Sequence, residues 1–523
     1  MSDRGTSGGA DTSSVVARVA EGQRGTLYRA IVGLLRGATW AFFRRVEVIG
    51  LDNLPVDRCG LLVSWHPNGL VDPGLILTRF PRRVVFGARH GLFGVPGLGF
   101  VLRRLGTVPI YRAVDARPAI GAAPSADAPD AARRAANRRS LDALAQAIAD
   151  GSFAALFPEG VSHDAPHLAE LKTGAARLYY RARALRGDRA PPVIIPVGLH
   201  YDRKQMFRSN ALVAFHPPLE LPAELDVTPR DDDADVVESE RARKLTAVIE
   251  TTLREVVHAT DDWALHDLMQ RTRRLVRAER ASRVDADPGR TTIGERVLGF
   301  ARVRQGYYEL LERETEKVHE LRARVAAYDR DLRALALEDY DLDRAPPLLP
   351  PWLAVLLVAQ AIAVFLLLPP LIVLGYVVNL PTALLLRGFA ALGAKLEKDE
   401  ATIKLLAGLV LFPATWVGAG FLAAALHEQL HAIYPSIPDR PMLAGALTGV
   451  LAGVGGAFAV RYFRVASELA RSVRVRLTRR ARWVAVARLR VERAKLCDAV
   501  TGMAQDIDLP GEVAPDGRVR PRA

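Results

Sequence analysis

At 523 residues the chain exceeds one typical domain and fits two or three structural units. Half of the residues are hydrophobic, the formal net charge is +13, and two cysteines, Cys59 and Cys497, exclude a disulfide framework and point to a reducing compartment. Beside long uncharged runs late in the chain, that charge points to an anionic membrane surface; nucleic acid has only the net charge behind it, and none is expected as a partner.

Met1 to Glu21 is rich in Gly, Ser and Asp and lacks the apolar core of a cleavable signal peptide, so residues 1–24 are expected to be disordered. From Thr26 to Arg45 the pattern is amphipathic: Leu27, Ile31, Leu34, Leu35, Trp40, Phe42 and Phe43 alternate with Arg29, Arg36, Arg44 and Arg45. Such a helix suits a membrane interface or the surface of the next domain, and both readings stand. Short apolar runs then read as strands: Val46–Ile49, Gly60–Trp65, Arg83–Phe86, Ser152–Phe157, Val193–Leu199 and Ala211–Phe215. Helical stretches at Ala131–Ala149 and Leu168–Ala184 lie between them, and Arg117–Asp130 reads as a surface insertion. Residues 25–225 therefore predict an α/β domain with a mixed, largely buried sheet and flanking helices.

Beyond Pro222 the composition changes. Asp231 to Asp235 is an acidic linker inside a charged helical region, 226–344, with Gly289 as its break; a solvated helical spacer or partner surface is the expectation. A membrane region is predicted over 345–461, with a hairpin or re-entrant segment at 345–386 interrupted by Pro369, Pro370 and Pro381, and spans at 405–426 and 441–460. A basic helix (462–500) and a flexible tail (501–523) follow. The basic tail and the Lys/Arg-bearing linker 387–404 favour the inside, and the nearly cation-free linker 427–440 the outside, which puts Met1 to Arg344 in the cytoplasm.

The stretch Val63 to Pro73 carries the clearest chemistry. His66 precedes proline and is held extended at a strand end, Pro67-Asn68-Gly69 is a turn signal, and Asp72-Pro73 resembles an N-cap followed by proline at the first helical position. This geometry can bring Asp72 onto one ring nitrogen of His66 and leave the other to take a proton. A structural histidine beside a capping aspartate fits the same residues. In Phe157-Pro158-Glu159-Gly160-Val161-Ser162-His163-Asp164, Glu159 could bind hydroxyls and Ser162 could donate to a phosphate, though such a turn is often mere loop. Lys172, near an expected helix start, opposes the helix dipole and hints at a nearby anion, or is simply a solvated lysine. Gly106 to Arg112 ends an apolar run in Arg112, whose planar fork suits phosphate; a lone arginine after a strand is more often a surface charge.

In order, these stretches resemble the four motifs of the glycerolipid acyltransferase family, which includes glycerol-3-phosphate and lysophosphatidic acid acyltransferases. The resemblance spans Tyr28 to Leu221: His66 with Asp72, Gly106 to Arg112, Phe157 to Gly160, and the strand Ile194-Ile195-Pro196-Val197. One extra residue between the His and the Asp, and Val161-Ser162-His163-Asp164 after the Gly, resemble the branch of the fungal glycerol-3-phosphate/dihydroxyacetone-phosphate enzymes. So do Gly198-Leu199-His200-Tyr201, Phe207-Arg208-Ser209 and the apolar segments behind the domain. The resemblance implies acyl transfer from acyl-CoA or acyl carrier protein to glycerol 3-phosphate or dihydroxyacetone phosphate, with lysophosphatidic acid as the alternative acceptor. His66 would be the general base oriented by Asp72. Arg112, Lys172 and Arg208 would hold the phosphate, Glu159 and Gly160 would shape the acceptor pocket, and neither cofactor nor metal is required. An integral membrane enzyme with its catalytic domain facing the cytoplasm is implied.

His427-Glu428-Gln429-Leu430-His431 matches the His-Glu-x-x-His pattern of zinc peptidases, directly after a predicted span. No third ligand is apparent, and a cluster at a helix end is the alternative to an intramembrane zinc protease.

Overall fold

The computed structural model describes residues 26–95, 97–111, 128–204, 206–229, 235–286, 291–344, 369–393 and 397–522. The chain divides into two compact units, one up to Asp262 and one from Trp263 onward, apart from the start of the helix beginning at Glu397.

The first unit is built on a seven-stranded sheet. In chain order its strands are β1 (Arg45–Ile49), β2 (Gly60–Ser64), β3 (Val84–Arg89), β4 (Val108–Ile110), β5 (Phe153–Leu156), β6 (Val193–Tyr201) and β7 (Asn210–Phe215). They lie side by side as β1-β7-β6-β2-β5-β3-β4, and every neighbouring pair is parallel except β6–β7. The central strands are buried along almost their whole length, which is why Gly60-Leu61-Leu62-Val63-Ser64 reads as a continuous apolar run rather than an alternating one. Gly60 is required where it stands: a Cβ there would lie 2.0 Å from the carbonyl oxygen of Val193 on the next strand.

Helices α1 (Thr26–Phe42), α2 (Val71–Arg79), α3 (Leu98–Arg104), α4 (Ala128–Ala149), α5 (Gly174–Arg186) and α6 (Asp235–Val256) cover the sheet. Helix α1 buries Ile31, Ala38 and Phe42 and leaves Leu27, Leu34 and Trp40 exposed, so one face packs on the domain while apolar residues remain on the other. Helix α5 starts six residues later than its expected Leu168. The Ala169 and Lys172 N–H groups, which a helix would use, are bonded to Glu159 and to the Pro158 carbonyl. The expected boundary at residue 225 also shifts. Helix α6 buries Ala242, Leu245, Ile249 and Leu253 in the core of the sheet domain, so this part of the charged region completes the first unit.

The second unit contains α7 (Trp263–Arg283), α8 (Ile293–Arg313), α9 (Thr315–Ala334), α10 (Pro369–Gly393), α11 (Glu397–Ile433), α12 (Pro441–Ala481) and α13 (Trp483–Met503). The expected solvated spacer is instead a folded helical body whose core holds Leu275, Tyr328, Leu332, Leu489 and Leu496. Its charges are paired internally: the fully buried Arg493 donates to Glu279, Asp343 and the Asp339 carbonyl, and Arg271 pairs with Asp329 and Asp339. The expected flexible tail is also ordered up to residue 522. It forms a small hairpin of β8 (Glu512–Val513) and β9 (Val519–Arg520), held by Arg302, which donates to the Leu509 and Gly511 carbonyls.

Within 345–386 only residues 369–386 lie inside the described residues, and there α10 runs straight through Pro381 instead of breaking. Among the described residues one helix, Val410–Ile433, is long and apolar enough to cross a membrane, with 6% of its most apolar stretch buried; Gly375–Leu386 and Pro441–Ala457 are shorter apolar helices. The three contact one another through small residues and shared polar groups. A Cβ on Gly375 would lie 2.4 Å from the Gly455 backbone. Asn379 donates to the Ala452 carbonyl at 2.8 Å and accepts from the Trp416 indole at 2.8 Å. Close glycine approaches and buried amide bonds are how helices associate where water does not drive them together.

Candidate active site

The motif residues meet at the carboxyl ends of the parallel strands β2, β5 and β6, where open α/β sheets place their ligands. Strand β2 ends at Ser64 and leads into Trp65-His66, and α2 begins at Val71, so Asp72 lies inside the first helical turn rather than at the N-cap as expected. From there its carboxylate reaches back over the turn. Oδ2 accepts from the Asn68 N–H at 2.7 Å and from His66 Nδ1 at 2.8 Å. Asp72 is fully buried and sits in the first turn of α2, at the positive end of the helix dipole. The bond fixes His66 with its proton on Nδ1. Nε2 is left without a partner among the described residues, on a side chain that keeps 15% of its surface exposed. The imidazole lies flat on Phe157, with ring centroids 4.1 Å apart, which fixes its plane.

The second oxygen of Asp72 accepts from the Tyr201 hydroxyl, at the end of β6. Burial, reinforced by the Asp72 charge, holds the Tyr201 phenol well above its ordinary pKa, so it remains a donor. Asn68 is fully buried beside them, donating to the Lys204 carbonyl at 3.4 Å; its own Oδ1 has no partner among the described residues. Lys204 in turn forms an ion pair with Asp164. Tyr201, Asn68 and Lys204 were not singled out as site residues from the sequence, although Tyr201 lies in the Gly198–Tyr201 stretch and Asn68 in the turn after His66.

Glu159 does something other than expected. Its side chain is fully buried. Oε2 accepts from the His66 backbone N–H at 2.9 Å; Oε1 accepts from His163 Nε2 at 2.6 Å and from the Ala169 N–H at 3.0 Å. Buried and accepting three protein hydrogen bonds, it ties the β2 end to the 160–170 loop. That tie is completed by the His163 N–H donating to the His66 carbonyl. Gly160 makes the turn at φ +68, a conformation that favours glycine. Ser162 lies in this same loop.

Of the expected phosphate ligands, Lys172 and Arg208 are among the described residues. Arg112 lies outside the described residues; the preceding Tyr111 is clamped by Asn137, which accepts from its N–H and donates to its carbonyl. Lys172 precedes the first turn of α5 rather than opening it, is exposed, and pairs with Glu170. Arg208 has a left-handed backbone, and its N–H and guanidinium both donate to carbonyls at the end of α1.

The His427/His431 pair of the second unit is built into a loop. His427 Nε2 bonds to the Pro438 carbonyl at 2.9 Å and His431 Nδ1 to the Ile437 carbonyl at 2.7 Å, so each imidazole pins the connection between α11 and α12. Among the described residues no group of three or more His, Cys, Asp or Glu side chains is arranged to hold a metal. The zinc-peptidase pattern is here a helix-end clamp.

Over 280 residues the chain is 26% identical to glycerol-3-phosphate O-acyltransferase 1 of Saccharomyces cerevisiae, covering 52% of this chain and 34% of that protein. Over 192 residues it is 27% identical to glycerol-3-phosphate O-acyltransferase 2 of the same yeast, covering 36% of this chain and 23% of that protein. The chain thus spans about a third or less of the length of these curated relatives. Among solved structures, the 1-acyl-sn-glycerophosphate (LPA) acyltransferase PlsC of Thermotoga maritima is similar at 18% identity, with a TM-score of 0.29 over 46% of this chain and 88% of that one. The family model described as Acyltransferase matches residues 45–200, a stretch that runs from β1 to the end of β6 and takes in both His66 and Glu159. Residues 45–200 of this chain are thus a domain of the acyltransferase family.

Proposed function

We propose that this chain transfers a fatty acyl group from a thioester, acyl-CoA or acyl carrier protein, to a hydroxyl of glycerol 3-phosphate or dihydroxyacetone phosphate. The observation that carries the reading is the His66 ring held through Nδ1 by the buried Asp72, with Nε2 turned away from that partner. In this tautomer Nε2 takes the proton of the acceptor hydroxyl as its oxygen attacks the thioester carbonyl. The tetrahedral intermediate collapses with cleavage of the carbon–sulfur bond, and the imidazolium returns its proton to the leaving thiolate. Asp72 stabilises the imidazolium formed in between.

Of the backbone amides in the turns after His66 and Glu159 that could meet the oxyanion, those of Asn68, Gly160 and His163 are already bonded within the protein. The Gly69 and Val161 N–H groups remain as candidates. The choice of glycerol 3-phosphate is supported by the names of the two yeast relatives and by the His163-Asp164 continuation of the Glu159 motif. On this reading Arg112, Lys172 and Arg208 are contributors to phosphate binding only if the acceptor draws them in.

The apolar helices of the second unit act as a membrane anchor on this reading, with the catalytic domain on the cytoplasmic side. Support comes from the exposed apolar surface of Val410–Ile433 and the arginine-rich end of α12.

The test is a panel of acceptors offered to membranes containing the protein with one labelled acyl thioester. Label in the monoacyl product of glycerol 3-phosphate or dihydroxyacetone phosphate is expected, and should vanish with His66→Ala. Label appearing only with lysophosphatidic acid would replace the acceptor; undiminished transfer by a folded His66→Ala protein would end the assignment.

A further inference from the structure

Protein interiors are packed closely enough that voids much larger than a water molecule are few. The second unit nonetheless carries a partly open cavity of about 350 Å³ between α7, α8, α9, α13 and the C-terminal hairpin, a size found among ligand pockets. Its walls are largely aliphatic, including Leu265, Met269, Val303, Leu321 and Met503. The charged residues on it are strongly one-sided: six arginines against a single acid, Glu295. Glu295 is already engaged, since its carboxylate caps the Thr292 N–H at the start of α8.

The arginines are not evenly spread with respect to solvent. Arg280 and Arg302, with Ile507, Leu509 and Val513, line both this cavity and a second, open pocket of about 570 Å³ that also includes Arg522 and one acid, Glu512. The apolar chamber therefore leads into a cationic vestibule. Arg522 is paired with Asp508, whereas the Arg280 guanidinium has no hydrogen-bond or ion-pair partner among the described residues. Burial, and then the neighbouring charges of Arg280 and Arg522, lower the Arg302 pKa. Deeper in, burial followed by Arg274, Arg296 and Arg277 outweighs the Tyr340 contribution and brings Arg273 down to about 10. Uncompensated cations at the mouth of an aliphatic chamber complement one chemistry, a hydrocarbon chain ending in an anion.

We propose that this cavity binds a long-chain amphiphile with an anionic head. The chain occupies the chamber under the C-terminal hairpin, and a carboxylate or phosphate sits between Arg280 and Arg302. The site is independent of the His66 chemistry, and none of its lining residues belongs to the acyltransferase domain.

Two substitutions separate chain from head. Gly306 lines the chamber on α8, and a Cβ there would lie 3.5 Å from Leu509, an ordinary contact, so the position admits a side chain and Gly306→Phe tests occupation of the chamber. Arg280→Glu reverses the charge at the mouth. The full-length protein is photolabelled with a diazirine-bearing oleate analogue and the modified peptides are mapped. Label is expected on 263–310 and 500–519, reduced roughly tenfold by either substitution, the scale of one lost charged hydrogen bond. Thermal unfolding of both variants verifies that they are folded. Unlabelled oleate and oleoyl lysophosphatidate compete; the stronger of the two identifies the head as carboxylate or phosphate. Label confined to 369–460, label unchanged in a folded Gly306→Phe protein, or equal competition by uncharged oleyl alcohol overturns the proposal.

Discussion

His66 and Tyr201 are bonded to opposite oxygens of the same buried carboxylate, that of Asp72. The histidine alone could be oriented by any one acceptor. Two donors from β2 and β6, together with the Asn68 N–H, leave the carboxylate no freedom to rotate, and so the imidazole plane is fixed from behind.

Tyr201→Phe removes one donor to that carboxylate and leaves the His66 bond in place. A hydrogen bond to a charged group contributes about 1.5–3 kcal/mol, so kcat/KM for acyl transfer should fall by roughly tenfold or more, mostly in kcat. Because the fold raises the Tyr201 pKa, its contribution to stability is fully present below the ordinary tyrosine value of about 10 and is lost as pH rises above it. Wild-type stability should therefore decline more steeply than that of Tyr201→Phe in the alkaline range. Parallel alkaline melting curves for the two proteins would show that Tyr201 does not titrate as its surroundings imply.

Glu159→Gln tests whether the carboxylate positions the loop or binds substrate. It accepts three protein donors, and an amide nitrogen in place of one oxygen would face an N–H group. An unsatisfied buried polar group costs about 1–3 kcal/mol, so the thermal midpoint should drop by several degrees. His66→Ala should lose activity with little change in midpoint. A Glu159→Gln protein as stable as wild type but with a raised KM for the acceptor would restore the substrate-binding role expected from sequence.

The contrast between the two units shows what patterning conveys. Strands such as Gly60–Ser64 are legible because both faces are buried, so their apolar runs admit few other readings. The His66–Asp72 pairing was likewise legible, since a pre-proline histidine, a turn and a helix start leave few ways to place the two side chains. Residues 263–344 were misread as solvated because binary patterning treats Arg271, Glu279 and Asp339 as surface charges. Inside the core Arg271 pairs with Asp339, while Glu279 and the Asp339 carbonyl meet Arg493, more than a hundred residues away in sequence, and no local period reports either. Tyr201 was missed for a similar reason: on β6 it looks like one more strand aromatic until the sheet order brings it beside β2.

Arg493 offers the corresponding test of the second unit. It is fully buried and joins Glu279 and Asp343 while donating to the Asp339 carbonyl. Arg493→Ala withdraws the buried cation shared by Glu279 and Asp343 and leaves them only the more exposed Arg283 and Arg490; breaking a buried pair costs about 3–5 kcal/mol. Cleavage near 338–343 by a protease at limiting concentration should accelerate markedly, while the acyltransferase domain keeps its own fold. A cleavage rate unchanged from wild type would mean that the network is dispensable.

His427 and His431 each bond a carbonyl of the 434–440 connection, at 2.9 and 2.7 Å. The double change His427→Ala and His431→Ala should therefore loosen that connection and increase its hydrogen exchange without removing any chemistry. Acyl transfer should remain within about twofold of wild type, since neither imidazole bonds to the His66 site and surface-type losses of this kind are a few tenths of a kcal/mol. Elemental analysis of the purified wild-type protein should find zinc well below one ion per chain. A stoichiometric zinc ion, lost together in the double variant, would mean that the two imidazoles turn from the loop carbonyls to a metal, and would return the His-Glu-x-x-His pattern to the chemistry it resembles.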